Sequence, residues 1–436
     1  MQIKYSDILI SNVLIPLYDK NQRYHVRIKN GKIFSVTSVD QNLAAQESTA
    51  YDMRIECMNN SLELWPTYVE NHAHLALPTN FDNFLEPMEI VALQYLYFGI
   101  TQVMDLFGYP SISKEWDAMM ENSHGIAPTI MHCGYALTAP TLNDKVGHGA
   151  EFPLPVYVVN NEADILSALE KNVMAGAQFI KVMYTAGIEK PGDLPRFSLL
   201  QKEIFSKILM FAKQYDLECI VDCNTLEEVK FAVRCGYRYF AHPIRDVILT
   251  EEDWNDLKNC YFVTTLQGLK GMVMTGNEME QACDTFHFHQ TQLPGQEKHF
   301  ATVTMPYGIQ YGMQNSRLHA LNCMRENSIA ALLRNQCVLG SDAGNTLSYH
   351  GLGFYEELLY FLQQKSVTRH NLLIAATQKI PGIFEKKLTN AFSLDNEANI
   401  NLIESNELLP TNIIKGDIIL TPHLIANKIE TLRHSL

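Results

Sequence analysis

The run Pro66-Thr67-Tyr68-Val69-Glu70-Asn71-His72-Ala73-His74 sets two histidines one residue apart at the end of an apolar stretch. Side chains of a strand alternate between its faces, so residues i and i+2 project together. His72 and His74 therefore converge if this run is extended, and paired imidazoles are a metal donor set. The pattern recurs downstream. Lys181 follows Phe179-Ile180, Asp222 follows Ile220-Val221, His242 follows Phe240-Ala241, and Asp342 follows Leu339-Gly340-Ser341. Each alone has an ordinary explanation: a structural histidine, a solvated lysine, an aspartate in a turn or helix cap. Core packing does not explain polar groups at the ends of so many apolar runs. A divalent ion held among them would acidify water and polarise a carbonyl, which is the chemistry of hydrolysis.

Such residues need strands to present them. Strand-like runs end at His74 and cover Gly99–Asp105, Thr129–Cys133, Ala177–Val182, Leu217–Cys223, Tyr239–His242, Tyr261–Leu266 and Cys337–Asp342. Helix-like stretches such as Glu162–Ala175, Leu199–Tyr215 and Leu226–Cys235 lie between them. Repeated βα units imply a parallel sheet, and eight of them imply an α/β fold of the (β/α)8 TIM-barrel type, whose C-terminal strand ends share one mouth. The first 65 residues read instead as short strands, Ile8–Pro16, Tyr24–Ile28 and Lys32–Val36, with a hairpin tip at Asn30-Gly31. Strand-like runs return after about Phe384, at Asn399–Ile403, Asn412–Ile414 and Asp417–Leu420. The expected layout is a barrel over 66–386 and a small β-sandwich built from 1–65 plus 387–436. The region 269–310, rich in Gln, His and Thr, reads as a loop or insertion over the barrel mouth.

The 436 residues carry 34 Lys+Arg against 48 Asp+Glu, a formal charge of -14 that disfavours nucleic acid and anionic membrane surfaces as partners. No apolar run approaches the roughly 18 residues of a transmembrane helix. The first residues lack the basic and apolar blocks of a secretory signal. Nine cysteines are scattered without a CxxC pair, and Cys219 and Cys223 read as core thiols. Reduced thiols and a cytoplasmic location are expected, with a small molecule as substrate.

In this order the motifs resemble the metal-dependent amidohydrolase superfamily. Pro66 to His74 is similar to its "PGLIDxHxH", with Thr67 for Gly and Glu70 for Asp. Gly99-Ile100-Thr101-Gln102-Val103 resembles "GVTTV", Phe179 to Gly187 resembles "FIKIMxTGG", Tyr239 to Pro243 resembles "SIEHG", and Leu339 to Gly344 resembles "LGTDAG", with His350-Gly351 and Ala375-Ala376-Thr377 following. The lysine motif is similar to the branch of prolidase-like dipeptidases and imidazolonepropionase-like enzymes.

That resemblance implies hydrolysis of an amide or other C–N bond in a dipeptide, N-acyl amino acid or cyclic amide. It implies one or two divalent ions, zinc first, with manganese or iron as alternatives. His72, His74 and Asp342 would hold the first ion; His242 and Asp222 would hold the second; a carboxylated Lys181 would bridge them. Asp342 is the expected general base and then acid, with His242 on metal or oxyanion. Ala136 to Gly149 resembles the branch's "LTxxGGHG" loop, which marks His148 as the first candidate for a substrate contact; Tyr184, in the lysine motif, follows as a second one. A homo-oligomer is compatible with the family. One position departs: Asp222 stands where the family shows His. The alternative expectation is therefore a catalytically impaired barrel with a binding or regulatory role. A ring-amine deaminase is disfavoured by Lys181, which such relatives lack.

Overall fold

The structure is a computed structural model. It describes residues 4–40, 51–57, 61–75, 87–122, 126–151, 154–270, 273, 314–345, 348–380 and 391–435. The chain opens with five strands, β1 (Asp7–Ile15), β2 (Asp19–Lys29), β3 (Lys32–Ser38), β4 (Met53–Glu56) and β5 (Leu62–Pro66). Asn30 (φ 49°) and Gly31 (φ 76°) join β2 to β3, the two left-handed residues that a tight hairpin turn requires.

The middle of the chain carries β6 (Tyr68–Ala73), α1 (Met88–Tyr97), β7 (Ile100–Asp105), α2 (Pro110–Asn122), β8 (Thr129–His132), β9 (Ala136–Thr138), β10 (Val156–Val158), α3 (Glu162–Met174), β11 (Ile180–Met183), α4 (Lys202–Lys213), β12 (Cys219–Asp222), α5 (Leu226–Arg234), β13 (Tyr239–Phe240), α6 (Glu251–Asp256), β14 (Tyr261–Val263) and α7 (Leu266–Lys270). It continues with α8 (Gln314–Leu333), β15 (Cys337–Val338), α9 (Leu352–Leu362) and α10 (Arg369–Thr377). The tail supplies β16 (Asn399–Glu404), β17 (Pro410–Lys415), β18 (Ile418–Leu420) and α11 (Pro422–Ser435). Local chemistry fixes several starts. Thr225 and Glu228 form a reciprocal capping box on α5, and Asn161 caps α3.

Strands from both ends of the chain share one eight-stranded sheet, ordered β18-β17-β16-β5-β1-β2-β3 with β4 on β1. Leu402 lies opposite Leu64 in the antiparallel β16–β5 pair. Ile8, Ile10, Val13, Val26, Ile28, Leu64, Ile400, Leu402 and Ile414 form its buried core.

The intervening strands pair in parallel. They pair in two sheets, β6-β7-β8 and β10-β9-β11-β12-β13-β14-β15, and strand pairing alone does not close the single ring expected from sequence. Pairing breaks at Gly134-Tyr135, between β8 and β9. There Asn172 of α3 takes both backbone groups of Tyr135, accepting from its N–H (2.9 Å) and donating to its carbonyl (2.8 Å). A side chain satisfies what a neighbouring strand would otherwise satisfy. At the other border, the amide of Asn71 donates to the Leu339 carbonyl (3.2 Å), that of Asp342 to His72 (2.9 Å) and that of His74 to Ala343 (2.7 Å). The strands β9 and β10 and the helix α11 were not anticipated. Most of the 269–310 region and the 386/387 boundary lie outside the described residues. No helix among the described residues is long and apolar enough to cross a membrane. Cys219 and Cys223 are buried free thiols.

Candidate metal centre

The parallel strands deliver their terminal residues to one place. Glu70 and His72 on β6, and His74 just past its end, are two residues apart in turn, and all are buried. His72 Nε2 lies 3.1 Å from His74 Nε2 and 3.3 Å from Asp342 Oδ1, and His74 Nε2 lies 2.9 Å from that same oxygen. Asp342 reaches it from the turn after β15 in a left-handed conformation (φ 59°), which aspartate tolerates better than most residues. His242, two residues beyond β13, stacks at 4.7 Å from the His72 ring. His72, His242 and Asp342 each offer a ligand atom, and those atoms all lie within 4.8 Å of one another.

A neighbouring carbonyl fixes the tautomer of His72. His72 Nδ1 sits 2.9 Å from the carbonyl of Ala241, which only accepts, so Nδ1 carries the ring proton. Burial pushes His72 well below the usual histidine range and His74 down to about 4, so both are neutral at pH 7. His72 Nε2 is then a lone pair facing a second imidazole and a carboxylate oxygen. Either a shared proton or a cation must sit among these atoms, and a borderline-soft divalent ion suits two imidazoles and a carboxylate. The donor set fits such an ion. Close approaches hold the strands: a Cβ on Gly340 would meet Val263 Cγ1 at 2.4 Å and the His72 amide nitrogen at 2.9 Å.

A second group lies beside the first. Lys181 on β11 is 1% exposed, with Nζ 3.7 Å from Asp222 Oδ2 and 5.1 Å from the Phe107 ring centroid. Asp222 Oδ2 is also 3.5 Å from His242 Nε2 and 3.9 Å from His148 Nε2. Burial would raise the Asp222 carboxyl, but His242, then Lys181 and His148, hold it well below the usual range. His148 stands at the rim, its side chain 34% exposed, 3.2 Å from Glu151 and 4.5 Å from the Phe197 ring. Tyr184 does not join them. It occupies the opposite face of β11 from Lys181, stacked 3.9 Å from Phe205 and 5.6 Å from Phe231. The ring of Tyr184, the second expected substrate contact, belongs to the packing between β11 and its helices.

Four neighbours escaped the sequence reading. Glu70 accepts from the amides of His72 (3.1 Å) and Ser341 (2.9 Å) and meets the Ser341 hydroxyl, tying β6 to β15. Its place two residues before His72 is the signal that pointed to it. Asp105 ends β7 and accepts from the Leu75 amide (3.3 Å). Phe107 lies 4.3 Å from the His74 ring and spans the gap to Lys181. Thr265, left-handed at φ 47°, places its hydroxyl 2.8 Å from His242 Nδ1. A threonine after a strand carries no sequence signature of that role.

No family model matches the chain, and a search of curated proteins finds no match. Solved structures do match along nearly its whole length. Ochratoxinase from A. niger shares 16% identity at a TM-score of 0.68, over 96% of both chains. A Xaa-Pro dipeptidase with bound methionine shares 16% at 0.68, over 95% of this chain and 100% of that one. Molinate hydrolase shares 12% at 0.65, over 97% and 96%. The chain has the fold of these three solved structures.

Proposed function

We propose that this protein is a metal-dependent hydrolase of an amide or other C–N bond. The observation that carries this is the buried convergence of His72, His242 and Asp342 within 4.8 Å, with His74 alongside. In this reading the two parallel sheets form one (β/α)8 barrel over 66–386. The backbone bonds between β6 and the β15 turn support closure on one side, and the Gln178 amide bonded to the His132 carbonyl (3.0 Å) supports it on the other. Residues 1–65 and 387–436 make the companion β domain, supported by their shared sheet.

His72, His74 and Asp342 would hold the ion, zinc first, with His242 beside it. The ion supplies an electrophile that polarises the scissile carbonyl and acidifies water. The residues do the rest. Asp342, kept ionised, takes the proton from the attacking water and hands it to the leaving nitrogen. His242, oriented by Thr265, faces the developing oxyanion. Phe107 and the buried imidazoles keep bulk water from the reacting atoms, which strengthens each of these interactions. His148, at the rim and next to Asp222, is placed to contact the substrate. Dipeptides, N-acyl amino acids and cyclic amides are the substrate classes to screen.

The test is metal analysis with a hydrolysis screen. The native protein is expected to retain a divalent ion, to hydrolyse at least one of these classes, and to lose both properties on His72→Ala. Failure to bind zinc, manganese or iron after reconstitution would overturn the proposal.

A further inference from the structure

We infer that the centre takes a single ion and that the buried Lys181–Asp222 ion pair stands where a second ion would otherwise be held. This rests on the metal centre proposed above and specifies its composition.

The six polar strand ends divide into two unlike groups. Around Asp342 Oδ1 gather two imidazole nitrogens, at 2.9 and 3.3 Å, the kind of donor set that takes a divalent ion. Around Asp222 Oδ2 gather an ammonium at 3.7 Å and two imidazoles at 3.5 and 3.9 Å. This second cluster already contains its positive charge. Lys181 is sealed from solvent under Phe107, so its ammonium needs a counter-charge inside the protein, and Asp222 supplies it. The β11–β12 register sets Met183 opposite Asp222 and Lys181 opposite Ile220, so Lys181 and Asp222 share one face of neighbouring strands, two residues apart along them.

A lysine can join a two-ion centre only as a carbamate. Its amine attacks carbon dioxide, an N–C bond forms, a proton departs, and the product is an anion. Here that anion would grow beside the Asp222 carboxylate, from a nitrogen 3.7 Å from its oxygen, and the two like charges would repel. A histidine at position 222 would be neutral, would not bind the ammonium, and would offer a nitrogen to metal. Asp222 thus converts the second half of the site from a metal ligand set into an internal salt bridge. The positive charge next to the first ion's site comes from the chain itself. Lys181 and Asp222 are accordingly positioning residues rather than ligands, a revision of the roles that the sequence resemblance implied.

The experiment loads the metal-stripped full chain with zinc, and separately with manganese, in the presence of 13C-labelled bicarbonate. Bound metal is counted by elemental analysis, and lysine carbamate is sought by 13C NMR. About one ion per chain with no carbamate resonance is expected. The same measurements on Asp222→His are expected to show about two ions and a carbamate signal that vanishes in Lys181→Ala/Asp222→His. Two ions or a carbamate in the native protein would overturn this inference while leaving the hydrolase proposal standing. No bound ion in the native protein would overturn both. A folded Asp222→His protein that still binds one ion without carbamate would show that Asp222 is not what excludes the second ion, and would also overturn the assignment.

Discussion

Replacing Glu70 probes how the two ligand-bearing strands are held together. Its carboxyl is fully buried and receives the His72 and Ser341 amides and the Ser341 hydroxyl. In Glu70→Ala these three groups lose their partner inside the protein, at about 1–3 kcal/mol each, so a loss of about 3–9 kcal/mol is expected. Glu70→Gln keeps the shape, accepts the two amides through its carbonyl and donates to the hydroxyl, so it should cost about 1 kcal/mol or less. The pH dependence is worked from the carboxyl itself. Burial raises it from an ordinary 4.5 to about 8. Between those values the folded chain holds a proton that the unfolded chain releases, so the stability this group provides is complete below pH 4.5 and is lost as pH rises through about 8. At about 1.4 kcal/mol per unit, the ceiling is about 5 kcal/mol. Glutamine mimics the protonated form at every pH. Urea unfolding of the metal-stripped proteins at pH 5, 7 and 9 should therefore show the native protein declining relative to Glu70→Gln as pH rises. A pH-independent gap between the two, or equal losses for Ala and Gln, would refute the assignment of Glu70 as a protonated tie between β6 and β15.

Three further outcomes are expected. Thr265→Gly removes a β-branched residue from a left-handed position worth about 1–3 kcal/mol of strain; thermal unfolding should rise while zinc affinity, read by chelator competition, falls about tenfold as His242 loses its hydroxyl partner. Asn327→Leu frees the Leu249 amide and the Ile244 and Val247 carbonyls that clamp the loop after His242, so chemical denaturation should show a loss of about 3 kcal/mol. Gly344→Ala puts a Cβ 2.2 Å from the His74 carbonyl oxygen at φ 94°, and should weaken zinc binding at least tenfold in the same competition assay, whereas Gly192→Ala, which has φ 91° but open space around it, should leave zinc binding unchanged.

What sequence revealed was governed by parity and by position at strand ends. His72 and His74 share a face because strands repeat every two residues, and Lys181, Asp222, His242 and Asp342 each close an apolar run, so their convergence was foreseeable. Tyr184, offered by the resemblance alone, obeys the same rule: three residues beyond Lys181, it falls on the opposite face and stacks on Phe205 of α4 and Phe231 of α5. The break between β8 and β9 depends on Asn172, a helix residue distant from Tyr135 in sequence, and no local pattern announces such a substitution of side chain for strand. The helix α11 did carry a signal, Pro422 at its first position. The ion pair of Lys181 with Asp222 was invisible because sequence gives residue types at strand ends and not the distances between them.

The sheet assembled from both ends of the chain has a consequence for synthesis. Ser405 donates to Ser61 across 344 residues, and β16 covers the edge of β5 that would otherwise be bare. A ribosome making this protein has exposed β1–β5 long before β16 emerges, so their apolar face and open strand edge wait, unpartnered, through most of translation. Until β16 pairs with it, that open edge is free to pair with other chains, and a cut between the barrel strands and β16 would unseal the amino-terminal strands rather than merely shorten the protein.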